Sequence, residues 1–150
     1  MIKIKKSPTN NNKDWSKTTE EELLLSSEMH ISDISQGMKF FISLMENSAI
    51  NHDKDKITDI KWYLHDFQTN FKENTWFQNH KRVNRHHLTD KSGIPEDVNV
   101  IDILDHIVDC VMACKARGGE FKDITLSNDV VQKAIQNTAE LLLNNVEVKD

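Results

Sequence analysis

At 150 residues, 37% hydrophobic and 29% charged, the chain is sized for one compact domain with a single core, and disorder throughout is excluded. Four glycines and two prolines are too few for the many tight connections of a β-sandwich or barrel, so composition alone favours helices. A formal charge of −5 gives no global reason to bind duplex nucleic acid or an anionic membrane.

Residues 3–17 hold five lysines, Pro8 and the run Asn10, Asn11, Asn12, with little apolar content to offset the entropy of ordering. Residues 1–17 are therefore expected to form a flexible or loosely docked arm ahead of a helical domain over 18–150. The start, Met1 to Lys6, lacks the apolar core of a secretory signal. No apolar run reaches the length of a membrane span, so a cytoplasmic protein is expected.

Thr18 and Glu21 read as a capping box opening a short helix through Leu23, Leu24 and Leu25. From His30 to Met45, the residues Ile31, Ile34, Met38, Phe41, Ile42 and Met45 recur at three and four, one apolar stripe of a second helix. Further helices are predicted from about Lys56 to Phe71 and from about Thr75 through His87. Ser92-Gly93-Ile94-Pro95 is the clearest turn, and Pro95 with Glu96 and Asp97 suits the opening of a helix carrying Val98, Ile101, Leu104, Val108, Val111 and Met112. Gly118-Gly119 should end it. Ser127 and Asp129 start the last helix, through Val130, Val131, Ala134, Ile135, Leu141 and Leu142. A short strand is conceivable at Ile2–Ile4 or over 121–126, but no real sheet is expected. The predicted fold is all-α, a single bundle of five to seven helices.

All seven histidines lie between positions 30 and 106, interspersed with carboxylates. Imidazole and carboxylate together suit divalent transition metals, and in a helical bundle the ligands must come from separate helices. His52-Asp53 is the strongest single feature. Two adjacent side chains at a helix boundary point the same way only where the backbone is irregular or the ion lies at the helix end. If the helix holding His80 continues through His87, then His80, Asn84 and His87 share one face and His86 points elsewhere. Cys110 and Cys114, four apart in an apolar run, read as core packing. His65 and His106 have no clear partner.

The pattern His30, then His52-Asp53 with Lys56 three residues on, then Asp109 within Ile107-Val108-Asp109-Cys110-Val111, resembles the HD-domain superfamily of metal-dependent phosphohydrolases. The stretch Asn84-Arg85-His86-His87 with Asn99 to Cys110 also looks like a small uncharacterised HD-like family of bacteria and their phages, over about His30 to Arg117. For a phage-encoded chain the compartment would be the host cytoplasm. The resemblance implies a metal set of His30, His52, Asp53 and Asp109, with His80 and His87 for a second ion. The ion or ions would be manganese, cobalt, zinc or iron. The expected activity is hydrolysis of a phosphate in a nucleotide or nucleotide-like compound through a metal-bound water. Asp53 would assist proton transfer, while Lys56 and Arg85, within a basic set that includes Arg82, Lys115 and Arg117, would neutralise phosphate. Asn84, Asp102 and Asp105 would orient ligands from behind. Two alternatives stay open: an iron-dependent oxygenase of HD type, and a non-catalytic, metal-stapled phage accessory protein that captures a nucleotide or another protein.

Overall fold

The computed structural model describes residues 1–9, 13–91 and 93–149; the Asn10–Asn12 run and Ser92 of the predicted turn lie outside them. Among the described residues the fold is all-α apart from one two-stranded parallel sheet. No helix among the described residues is long and apolar enough to cross a membrane. The chain divides into two compact units, Met1–Ser43 with Glu140–Asp150, and Leu44–Ala139.

In the first unit, β1 (Ile2–Lys5) pairs in parallel with β2 (Val146–Lys149), Ile2 opposite Val146 and Lys5 opposite Lys149. The start of the chain is thus held by main-chain hydrogen bonds, and a sheet exists where none was expected. Ser7 and Thr9 continue the attachment through their hydroxyls, 2.6 and 2.5 Å from Ser26 Oγ. Asp14 then caps a single 3-10 turn, Trp15–Lys17. A long helix, α1 (Glu20–Asn51), follows. Its capping box is Thr19 with Glu22, not Thr18 with Glu21: Glu22 N–H donates to Thr19 Oγ1 at 3.2 Å and Thr19 N–H to Glu22 Oε2 at 3.1 Å. Both registers satisfy the motif, and Lys13, 2.5 Å from Glu22 Oε1, anchors the one adopted.

The two helices expected before residue 50 are one, because nothing between Leu25 and His30 stops a helix. Ser27 instead donates to Leu23 O at 2.8 Å within it. Within the first unit, α1 turns its small residues inward: Ser26 meets Ser7, and Gly37 faces Leu142. Much of the predicted apolar stripe is exposed instead, Ile31 at 68% and Met38 at 58%, while Phe41 is half-buried.

The second unit holds the end of α1, then α2 (Lys54–Thr58), α3 (Ile60–Gln68), α4 (Thr75–Val83), α5 (Val100–Arg117) and the start of α6 (Asn128–Leu143). The single helix expected over 56–71 is broken at Asp59. The helix expected to reach His87 stops at Val83, where Asn84 turns extended. The helix after Pro95 begins only at Val100, since Asn99 accepts from Ile101 N–H and completes a capping box with Asp102. Pro95 lies in the preceding turn, its carbonyl 3.2 Å from Val98 N. Gly118 ends α5 in the left-handed conformation at φ 66°, which glycine adopts without steric cost. Leu88, Val98 and Ala134 form the core, with Ile94, Ile103, Leu126 and Val130 against it. This core fixes the turn after α4 and the start of α5, the two segments that deliver most of the polar cluster described next.

Candidate metal centre

His52 is the last residue reached by α1's hydrogen bonds, its N–H donating to Ser48 O at 2.8 Å. Asp53 then adopts φ 52° and ψ 22°, a left-handed backbone that costs a residue with a Cβ about 1 kcal/mol or more. That reversal lets adjacent side chains face one point: His52 Nε2 is 3.4 Å from Asp53 Oδ2. From α5, Asp109 Oδ1 lies 3.7 Å from the same nitrogen. Asn84 supports the turn by accepting from Asp53 N–H at 3.2 Å.

On the other side of Asp53 stand three imidazoles. His80 Nε2 is 3.4 Å and His86 Nε2 3.6 Å from Asp53 Oδ1, and His87 completes a group whose ligand atoms lie within 4.8 Å of one another. His80 and His86 are 1% and 2% exposed. Trp76 stacks on His80 with ring centres 4.8 Å apart, and His86 stacks on His52 at 4.3 Å, so neither ring is free to turn away.

The hydrogen bonds behind the rings decide what the front can do. His52 Nδ1 is 2.7 Å from Asp105 Oδ1, and His80 Nδ1 is 2.8 Å from Asp55 Oδ2. A neutral imidazole donating Nδ1–H to a carboxylate turns a bare lone pair at Nε2 to the front. There it meets Asp53, another acceptor. Asp53 Oδ1 and His87 Nε2 are both buried without a hydrogen-bond partner, an arrangement that is costly without a positive charge among the acceptors. Ligands held 2.0–2.2 Å from a common ion stand roughly 3.0–3.5 Å from each other, close to the separations here. The donor set thus fits a divalent cation at each side of Asp53: His52, Asp53 and Asp109 on one, and Asp53, His80, His86 and His87 on the other.

Protonation states agree with this. Burial raises the Asp53 pKa, but the hydrogen bond from Lys56, the Lys56 charge and, whenever they carry a proton, His52 and His80 hold the carboxyl below its usual range. Burial, then repulsion from His52, lowers His86. His87 is pushed down to about 4 by burial and by His86 and His80, so it presents a neutral ligand at pH 7. A histidine depressed in the folded state is protonated first in the unfolded chain, so its stabilising contribution is intact above about 6.5 and is lost as pH falls toward 4. Urea unfolding of the metal-free protein should show a loss of up to about 3 kcal/mol from His87 over that interval, and His87→Gln should flatten the dependence.

Among the sequence-predicted residues, the structure brings together His52, Asp53, His80, His87 and Asp109. His30 is not among them: it is an exposed residue of the first unit. His86, set aside by the helix-face argument, joins because α4 ends before it. Asp105 stands behind His52, and Asn84 braces Asp53 and Asp55, donating to Asp55 Oδ1 at 2.9 Å. Asp102 lies behind no histidine. It takes Arg85 Nε at 2.7 Å and Nη2 at 2.9 Å and caps α5, so Arg85 is occupied with Asp102 and Asp97 rather than turned to the site. Lys56 is at the site, on Asp53 Oδ2. Asp55 and His106 escaped the sequence reading. Asp55 carried only the signal of lying two residues past Asp53, and His106, whose Nδ1 is 2.9 Å from His86 O, carried none.

Comparison with protein-family models, curated proteins and solved structures returned no match.

Proposed function

We propose that the protein is a metal-dependent phosphohydrolase acting on a phosphate monoester of nucleotide-like character. The observation that supports it is the pair of acceptor sets sharing Asp53, with Asp53 Oδ1 and His87 Nε2 buried and unpartnered. A divalent cation held there supplies Lewis acidity toward a phosphoryl oxygen and lowers the pKa of water. The chain's own groups do the rest. Asp105 and Asp55 fix the tautomers of His52 and His80. Lys56 stands beside Asp53 as the cation able to hold an anionic substrate oxygen. Asp109, its side chain 33% exposed, is the carboxylate open to take a proton from an attacking water.

Elemental analysis after purification, followed by a screen of phosphate monoesters and nucleotides with manganese, cobalt, zinc and iron, tests this reading. At least about one ion per chain and metal-dependent phosphate release are expected. Lys56→Ala should retain the ion while raising KM roughly tenfold or more, the worth of a charge-assisted hydrogen bond to phosphate. A protein that binds no metal and is indifferent to His52→Ala would overturn the proposal. Because Asp53 offers one oxygen to each histidine set, as a two-iron centre needs, iron-dependent oxidation is the second reading. Oxygen consumption by iron-loaded protein distinguishes it.

A further inference from the structure

A cleft of about 400 Å³ opens in the second unit directly beside His52 and Asp109. One wall is the last two turns of α1, with Met45 and Ala49; the other is α5, where Ile101, Leu104, Val108 and Met112 recur at three, four and four. Its polar floor is largely self-satisfied, since Asp105 accepts from Ser48 Oγ at 2.8 Å and pairs with His52 Nδ1 at 2.7 Å. What remains facing the opening is His52 Nε2 and Asp109, the metal-facing atoms. No lysine or arginine lines the cleft.

Resting on the hydrolase reading, we infer that this cleft holds an uncharged, flat apolar group of the substrate, so that the substrate is a phosphate ester carrying an aryl or base-like group. A phosphate chain needs cationic donors, and the cleft wall supplies none among the described residues, so the part of the substrate seated there is not the anionic one. The volume lies in the range of small-ligand pockets rather than of protein interfaces. Met45 and Met112 supply polarisable thioethers, which favour contact with ring edges and faces. Charge also sorts the two ends: an anion is drawn to a cation-filled centre, and an uncharged ring to a wall with no charge.

The test uses manganese-loaded protein and two unreactive probes, phenylphosphonate and methylphosphonate, with affinities read by calorimetry. Phenylphosphonate should bind roughly tenfold to a hundredfold tighter, as burial of a ring predicts. Ala49→Phe, which fills the cleft, and Val108→Asn, at an exposed position with little bearing on folding, should each bring that ratio toward one, with helix content checked by circular dichroism. A ratio near one in the wild type, or an unchanged ratio in both variants, overturns the inference. So does an unchanged ratio accompanied by a dimer-to-monomer shift in Val108→Asn, which would make a second copy the occupant. Ring preference without turnover of phenyl phosphate supports the cleft and overturns the hydrolytic reading. Equal KM values for phenyl and methyl phosphate overturn the cleft alone.

Discussion

Asp53→Ala should strip the protein of metal on both sides of the site and reduce phosphate release to background. Partners that merely orient a ligand are worth 10–100-fold in metal affinity, and Asp53 faces His52 with one oxygen and His80 and His86 with the other. A loss beyond about a hundredfold is therefore expected, read by elemental analysis after dialysis. Asp53→Gly separates this role from folding. Glycine accepts φ 52° without a Cβ clash, so the metal-free variant should lose no more than about 1 kcal/mol of stability while losing the ion as completely. Retention of a full metal complement by either variant would remove Asp53 from the centre.

Arg85→Ala should act on stability instead. Asp102 is buried, its side chain 5% exposed, whereas Arg85 is 41% exposed, so the substitution leaves a buried carboxylate with its strongest partner gone. Removing one partner of a fully buried pair costs about 3–5 kcal/mol; discounted for solvent reaching the guanidinium, about 2–3 kcal/mol is expected here. Thermal unfolding of metal-free protein measures it, and Arg85→Ala with Asp102→Ala should recover part of the loss. Should Arg85→Ala instead raise KM for phosphate esters with no change in stability, the phosphate role that the sequence suggested for Arg85 would be restored.

The contrast between Arg85 and Asp53 shows what the sequence made legible. The His52-Asp53 dipeptide was readable from its place at a helix boundary, whereas Asp109 came from the resemblance to the HD pattern. The helical class followed from periodicity and scarce glycine, and Gly118 marked the end of α5 correctly. Pairings set by packing across elements were not readable: Arg85 with Asp102, Asp55 with His80, and His106 with the backbone of His86. His86 was set aside for one local reason that the structure removes. α4 ends at Val83, so an angular argument that assumes 100° per residue lost its basis before reaching either histidine. His30 entered the set only through the resemblance, and the structure has it exposed and outside the cluster.

The parallel pairing of residues 2–5 with 146–149 imposes an order of events on folding. Closing a loop of about 140 residues costs on the order of 4 kcal/mol in chain entropy by the logarithmic law, far more than an isolated pair of four-residue strands returns. Hydrogen bonds between β1 and β2 therefore form late, after the helices have already shortened the effective path between the two segments. During synthesis, the β1 segment must wait with its edge unpaired until residue 149 has been made. The charged lysines that alternate with Ile2 and Ile4 keep that waiting strand from pairing with other chains.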